Sequence, residues 1–436
     1  FCSVFTHEQR EETLPTTREH GFQMTGITVS EEGVTKLLLN LNPDKAPGPD
    51  KIPSRLLQLI ATEISPALTK FFQLSLDTGY IPKAWKHALV HPIYKKEDRG
   101  NANNYRPISL TCICCKLLEH IVRSAISSYL ETNSILVNAQ HGFRKNRSCE
   151  TQLITITHDL ASELDKGGQT DVIFLDFAKA FDKVPHMRLM HKLQAVGIDG
   201  STLSWIKSFL SERTQQVVVN GKVSEIGHVT SGVPQGSLHD PLLFLVYIND
   251  LPDEIQSTLC LFADDTAMYR SITSVEDCIA LNRDLSLLEE WEDKWLMKFN
   301  ITKCQVLSVT NKRNKINYDY KLHDQNLQHV TSAKYLGVEF TNNLKWDRHI
   351  SHITSKANKT SAFVWRNLNG CPHHTQIQAY SSLVRPILEY ANVVWDPHLK
   401  KDEERIEKTQ KRTVRRIFQA NAKTTSTSHL VAAAGL

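Results

Sequence analysis

Asp171 to Asp176 reads DVIFLD, and Leu259 to Tyr269 reads LCLFADDTAMY. In the first stretch Val172, Ile173, Phe174 and Leu175 form an unbroken apolar run between two carboxylates, the pattern of a buried central strand. In the second, Leu259 to Ala263 is another such strand, the pair Asp264-Asp265 follows, and Thr266 to Tyr269 resumes in extended form. Each buried strand therefore delivers Asp to its end. Pairing the strands would crowd these carboxylates, which is costly unless cations neutralise them. Mg²⁺ takes carboxylate and phosphate oxygens together, and two such ions ~4 Å apart stabilise the attacking and leaving oxygens of phosphoryl transfer. A nucleoside triphosphate is the matching substrate. An Asp pair by itself is more often a turn; the second Asp-ended strand and a basic arm further along shift the balance.

Outward from these strands the pattern is mixed. Upstream, a helix is expected from Ser30, as N-cap, through Leu41, ending at the loop PDKAPGPDKIP. A longer helix is expected over Ser54 to Leu76, a strand over HALVHPIYKK, and a helix over ICCKLLEHIVRSAISSYL. TQQVVVNG and KVSEIGHV read as a hairpin turning at Asn220-Gly221. Pro241 to Leu251 reads as an apolar helix and Ser274 to about Lys298 as a long amphipathic one. Strands are expected near Gln305 to Val309 and Tyr335 to Phe340, and only helices beyond Asn343. This is an α+β core followed by an all-helical appendage.

Composition agrees with a globular chain: 436 residues, 41% hydrophobic and 22% charged. The longest apolar run, Leu242 to Ile248, is far short of the ~20 residues that cross a bilayer. The opening residues show no export signal, and with Phe at residue 1 the sequence reads as part of a longer frame. Nine cysteines, an odd number, suit reduced thiols inside a cell. Cys112, Cys114 and Cys115 crowd together, as do Cys371, His373 and His374, but neither group has a second ligand pair at zinc spacing. The net charge of +4 is unevenly placed: residues 311 to 436 hold 20 Lys and Arg against 10 Asp and Glu, leaving the rest acidic. A basic arm beside an acidic centre suits a polyanion partner, though a solvated helix face has the same composition.

LFADDTAMY resembles the FADD box of non-LTR (LINE-type) retrotransposon reverse transcriptases, and FLDFAKAFDKV resembles the preceding Asp-bearing box. SGVPQGSLHDPLLF is similar to their SGVPQGSVLGPLLF box, NNYRPISLTC to YRPISL, and PDKAPGPDKIP to KAPGPDGI. YLGV and RPILEYANVVW resemble the primer-grip and thumb segments. The boxes come in family order over essentially the whole chain, nearest to the jockey/CR1-like branch.

The resemblance implies a right-hand polymerase fold: residues 1 to 29 an N-terminal fragment or linker, 30 to 170 fingers, 171 to 340 a palm with an antiparallel sheet, and 341 to 436 a basic helical thumb, truncated. It implies an RNA-directed DNA polymerase adding dNTPs to a DNA primer 3′ end on an RNA template, with two Mg²⁺ ions for which Mn²⁺ can substitute. Asp176, Asp264 and Asp265 match the metal-binding and catalytic carboxylates. Phe181 falls where the family has an aromatic that meets a ribose 2′-hydroxyl, and Gln235 and Gly236 match the loop over the incoming base. Arg106, with Lys95 or Lys96, matches the cations that grip the triphosphate; Lys303 matches a lysine near the pyrophosphate. No membrane partner is implied, the oligomeric state stays open, and the location is intracellular, acting in the nucleus by resemblance, with the cytoplasm as an alternative.

The chain also departs from the family. Asp240 stands where the box has Gly, and His239 where it has an aliphatic residue. Asp240 is expected to cap the helix that follows and to place a negative charge beside template and triphosphate, slowing synthesis. A catalytically impaired relic that only binds nucleic acid is therefore the competing reading.

Overall fold

The computed structural model describes all residues except 1, 7, 9–13, 18–19, 96–97, 234–235, 238, 419–425, 434 and 436. The chain divides into two compact units, each assembled from three separated stretches. The first is Phe1–Phe143, Asp176–Ile255 and Asp284–Asn300; the second is Arg144–Leu175, Gln256–Arg283 and Ile301–Leu436.

The first unit holds a five-stranded sheet and most of the early helices. Its strands are β1 (His87–Tyr94) and β2 (Tyr105–Leu110), and later in the chain β4 (Arg213–Val219), β5 (Lys222–Val223) and β6 (Gly227–Val229). The order is β2-β1-β4-β5, with β6 also on β4. β1 and β2 are antiparallel, whereas β1 and β4 are parallel, His87 opposite Thr214. The β4–β5 hairpin turns at Asn220-Gly221, both left-handed (φ 51 and 78), the backbone that a two-residue type I′ turn demands. Pro107, which lacks an amide proton, is tolerated because β2 is an edge strand. Ser30 caps the helix Glu31–Leu39 by accepting from the Gly33 amide. The expected single helix from Ser54 is instead Ser54–Leu59 followed by Ala61–Thr78. Ile60 leaves helical geometry (φ −108), about one turn and a half before Pro66, which has no amide to donate to the preceding turn.

The stretch before the first helix is built into this unit. The His20 amide donates to the Ala195 carbonyl (3.2 Å), the Met24 amide to Gly197 (2.8 Å), and the Val29 amide to the Gln73 side chain (2.9 Å).

The second unit is organised on a sheet of β3 (Gln169–Asp176), β7 (Thr258–Phe262), β8 (Asp265–Ser271), β9 (Gln305–Thr310) and β12 (Gln328–Val330), in the order β12-β9-β3-β8-β7. A small hairpin, β10 (Lys321–Leu322) and β11 (Gln325–Asn326), lies between β9 and β12 in sequence. β3 is the central strand, and every residue but the last is buried. β9 runs antiparallel to it, Phe174 opposite Gln305. Asp171, fully buried, is accommodated by the Tyr320 hydroxyl (2.8 Å) and the Gln169 amide (3.1 Å). The helix Cys149–Asp165 contributes Leu153, Ile156 and Leu160 to the same core as Val172, Leu307 and Phe340.

Tyr335 to Phe340 is a hairpin rather than one strand: β13 (Ser332–Tyr335) turns at Leu336-Gly337 into β14 (Val338–Thr341). Both turn residues have positive φ (44 and 89), which costs nothing at Gly337 and is borne at Leu336. Beyond it the chain is helical, with the long helices Asp347–Leu368 and Lys400–Ile417. The latter buries Asp402, Thr409, Thr413, Val414 and Ile417 on one side. No helix among the described residues is long and apolar enough to cross a membrane.

Candidate active site

The carboxylates lie at strand ends, as their sequence context predicts. Asp176 closes β3 and is half-buried; its carbonyl accepts from the Asn300 amide at 2.7 Å. β7 and β8 form an antiparallel hairpin in which Phe262 pairs with Asp265, leaving Ala263 and Asp264 as a two-residue turn. Asp264 is half-buried and Asp265 exposed. Ala263, itself buried, has φ 55, a conformation that costs a residue with a Cβ ~1–2 kcal/mol. Strain of this kind persists where the surroundings fix it, and it collects at functional sites. In the sheet, β8 is the neighbour of β3.

Among the described residues no group of three or more His, Cys, Asp or Glu is gathered closely enough to hold a metal ion by itself. Mg²⁺ in nucleotidyl-transfer sites is held by one or two carboxylates, with phosphate and water completing the shell. Carboxylates at strand ends, with oxygen-only donors, suit a hard divalent cation.

Lys95 and Arg106 belong to one ribbon. Arg106 is opposite Ile93, and Lys95 is two residues beyond Ile93, so alternation places both on one face. The Lys95 amide continues the ladder by donating to the Asn104 carbonyl (2.8 Å), and both side chains are exposed. Lys303 is exposed at the end of the short helical turn Ile301–Lys303, just before β9.

Phe181 is half-buried on the short helix Ala180–Lys183, its ring 4.7 Å from that of Phe244. Its carbonyl accepts from the Val233 amide (2.8 Å). Gln235 lies outside the described residues, as does Lys96. Gly236 has φ 106, and a Cβ there would come within 2.8 Å of the Ser109 carbonyl oxygen, so only glycine fits between loop and β2. Next to it, the Ser237 hydroxyl donates to Glu119 at 2.5 Å.

Glu119 has no exposed surface and was missed from the sequence, although a signal existed: it interrupts the apolar stripe Cys115, Val122, Ile126, Leu130 of its helix.

The expectation that Asp240 caps the following helix is corrected. Asp240 is the first residue of the helix Asp240–Tyr247, which no side chain caps, and it is 4% exposed. Its carboxyl turns back to the Gly236 and Ser237 amides. Burial, and then the nearby Glu119, raise its pKa well above the usual carboxylate value, which favours the uncharged form. It does not present a solvent-facing charge. His239 is equally buried, edge-on to Trp205 and Phe209 (5.6 Å each), and burial pushes its pKa down to about 3.

An α+β fold in which Asp176 ends the central strand and Asp264-Asp265 sit in the β7–β8 hairpin suits metal-assisted phosphoryl transfer. The family model for reverse transcriptase (RNA-dependent DNA polymerase) matches residues 93–340, more than half of the chain, and the chain belongs to that family. It is 29% identical over 429 residues to the RNA-directed DNA polymerase from mobile element jockey of Drosophila melanogaster, covering 94% of this chain and 46% of that protein. Similarity extends to the probable RNA-directed DNA polymerases from transposon BS (27% identical; 96% of this chain, 47% of that protein) and transposon X-element (27% identical; 88% and 43%), both of Drosophila melanogaster. The chain spans about half the length of these relatives or slightly less.

Proposed function

We propose that this chain is the polymerase portion of a non-LTR retrotransposon reverse transcriptase, extending a DNA primer 3′ end with dNTPs on an RNA template. The observation that carries the reading is the placement of Asp176 at the end of β3 and of Asp264 and Asp265 in the β7–β8 hairpin, in a chain of the reverse transcriptase family. In this reading Asp176, Asp264 and Asp265 hold two Mg²⁺ ions, or Mn²⁺ in their place. The ions, when bound, supply charge stabilisation to the attacking and leaving oxygens. Arg106 and Lys95, on one face of the β1–β2 ribbon, bind triphosphate oxygens, the first by a planar fork and the second as a point charge. Lys303 gives a proton to the departing pyrophosphate. The Phe181 ring occupies the space of a 2′-hydroxyl, and Gln235 and Gly236 are assigned to contact with the incoming base. In hand terms, residues 30 to 170 serve as fingers, 171 to 340 as palm and 341 to 436 as thumb, and the nucleus is the site of action.

Primer extension on poly(rA)/oligo(dT), with Mg²⁺ and then Mn²⁺, tests the proposal: product is expected with at least one ion. The relic reading has a specific observation in its favour. Both His239 ring nitrogens and one Asp240 carboxyl oxygen are buried without a hydrogen-bond partner beside the Gly236 loop. Salt-sensitive nucleic-acid binding with no product under either ion would decide for the relic.

A further inference from the structure

The helix that carries Phe181 is four residues long, too short to hold itself by its own hydrogen bonds. It is held from outside. The Gly232 amide donates to the Val184 carbonyl and the Val233 amide to that of Phe181, both at 2.8 Å, and the Ser231 hydroxyl donates to the Asp182 carbonyl at 2.9 Å. Gly232 (φ 81) permits this closeness, since a Cβ there would sit 2.5 Å from the Asp182 carbonyl oxygen.

A third strand of chain locks the pair. The Thr6 amide donates to the Ser231 hydroxyl (2.7 Å), and the Thr6 hydroxyl donates to the Lys183 carbonyl (2.8 Å), so Thr6 touches both partners at once. Two residues on, the Glu8 carboxylate accepts from the Met187 amide (2.8 Å) and the Arg188 amide (3.3 Å), and it pairs with the Arg188 guanidinium at 3.3 Å. The helix His186–Ala195 starts after Pro185 with no side-chain cap of its own; Glu8 supplies one from 180 residues away. The Glu8 and Arg188 side chains are 10% and 7% exposed, so this is an interior anchor rather than a surface ion pair.

We propose that Thr6 and Glu8 act as a positioning strap: they fix the register between the Phe181 helix and the Ser231–Val233 turn, and so set discrimination between deoxyribose and ribose triphosphates. The specificity part rests on the reading of Phe181 as the residue facing the sugar. A steric gate works only while its ring stays placed to within a fraction of an ångström, and displacements of ~1 Å are enough to change rates substantially.

The test uses the full chain with Thr6→Val, Thr6→Ser, Ser231→Ala, Glu8→Gln and, as comparison, Phe181→Val. Hydrogen exchange reads positioning without needing activity. In Thr6→Val and Ser231→Ala the Gly232 and Val233 amides should exchange about fivefold faster or more, the effect of losing one hydrogen bond from a local opening equilibrium. The β1 and β4 amides should keep parental rates, and Thr6→Ser should behave as the parent. Glu8→Gln should speed exchange at Met187 and Arg188. Unchanged exchange at Gly232 and Val233 in Ser231→Ala overturns the strap. The second readout is the ratio of kcat/KM for dNTP over rNTP, which should fall in Thr6→Val, Ser231→Ala and Phe181→Val and recover in Thr6→Ser. If Phe181→Val lowers the ratio while the strap variants leave it parental, the strap has no role in selectivity and the gate stands. If Phe181→Val leaves the ratio parental, the gate reading falls, and the exchange result decides the strap alone.

Discussion

Asp240 has 4% of its surface exposed and lies near Glu119, which has none. Burial raises its folded-state pKa above the unfolded value of ~3.9, so the contribution of the protonated acid is fully present below about pH 4 and is lost as pH rises through the folded pKa. Asn keeps the shape and cannot ionise. Asp240→Asn should therefore gain stability over the parent as pH rises above about 4, with a slope no steeper than ~1.4 kcal/mol per pH unit. Melting temperatures of the two proteins from pH 4 to 9 measure this; parallel curves would mean that Asp240 titrates as in the unfolded chain. Asp264→Ala follows a different logic. It removes a group proposed to hold metal, and extension should drop by at least ~10²-fold with melting little changed. A variant retaining a tenth of the parental rate would refute the assignment.

At the scale of elements, the helix Lys400–Ile417 shows why a charge run needs its buried face before it can be read. Lys401, Arg405, Lys408, Arg412 and Arg416 form an exposed stripe at helical spacing that flanks the buried Thr409, Thr413 and Ile417, about 100° around the helix from them. Arg405 and Arg412 are engaged by the Ser351 and Asn358 side chains of the helix Asp347–Leu368. Replacing Lys401, Lys408 and Arg416 together by Gln should flatten the slope of log affinity for nucleic acid against log salt by about 2–3, at ~0.7–0.9 per phosphate contact, without unfolding the chain. Filter binding between 50 and 300 mM salt would show it, and an unaltered slope would mean that these charges face only water. The elements legible in sequence were those with local signals: the apolar run of β3, the Asn220-Gly221 turn, and the Ser30 cap. Gly337 was a readable signal that Tyr335 to Phe340 must turn. The Pro in YRPISL hid β2, because edge-strand position is not written locally. Nothing near Glu8 announces Arg188, and the burial of Asp240 follows from tertiary packing that overrides the solvent-facing expectation for Asp. At the site, strand-end carboxylates were visible as a pattern, whereas Glu119 and Thr6 become meaningful only once distant segments meet.

For the whole molecule, the decisive fact is that the chain leaves one unit for the other five times. Cuts at linear boundaries therefore sever cores. A fragment of residues 171–340 would hold β4 without β1, and β3 without its first two residues or the helix Cys149–Asp165. It should show no cooperative thermal transition, whereas the full chain should; a sharp transition in the fragment, followed by circular dichroism, would argue against the interleaved division.

The same interleaving sets a timetable during synthesis. β3 emerges with the apolar run Val172 to Leu175 uncovered and two unpaired edges, while β8 follows about 90 residues later and β9 about 130. At translation rates of ~5–20 residues per second, the strand waits roughly 5 to 18 s for its first neighbour. During that interval its open edges can pair with those of another nascent chain. The yield of soluble protein should thus depend on how quickly residues 177 to 271 are translated and on whether a chaperone shelters DVIFLD meanwhile.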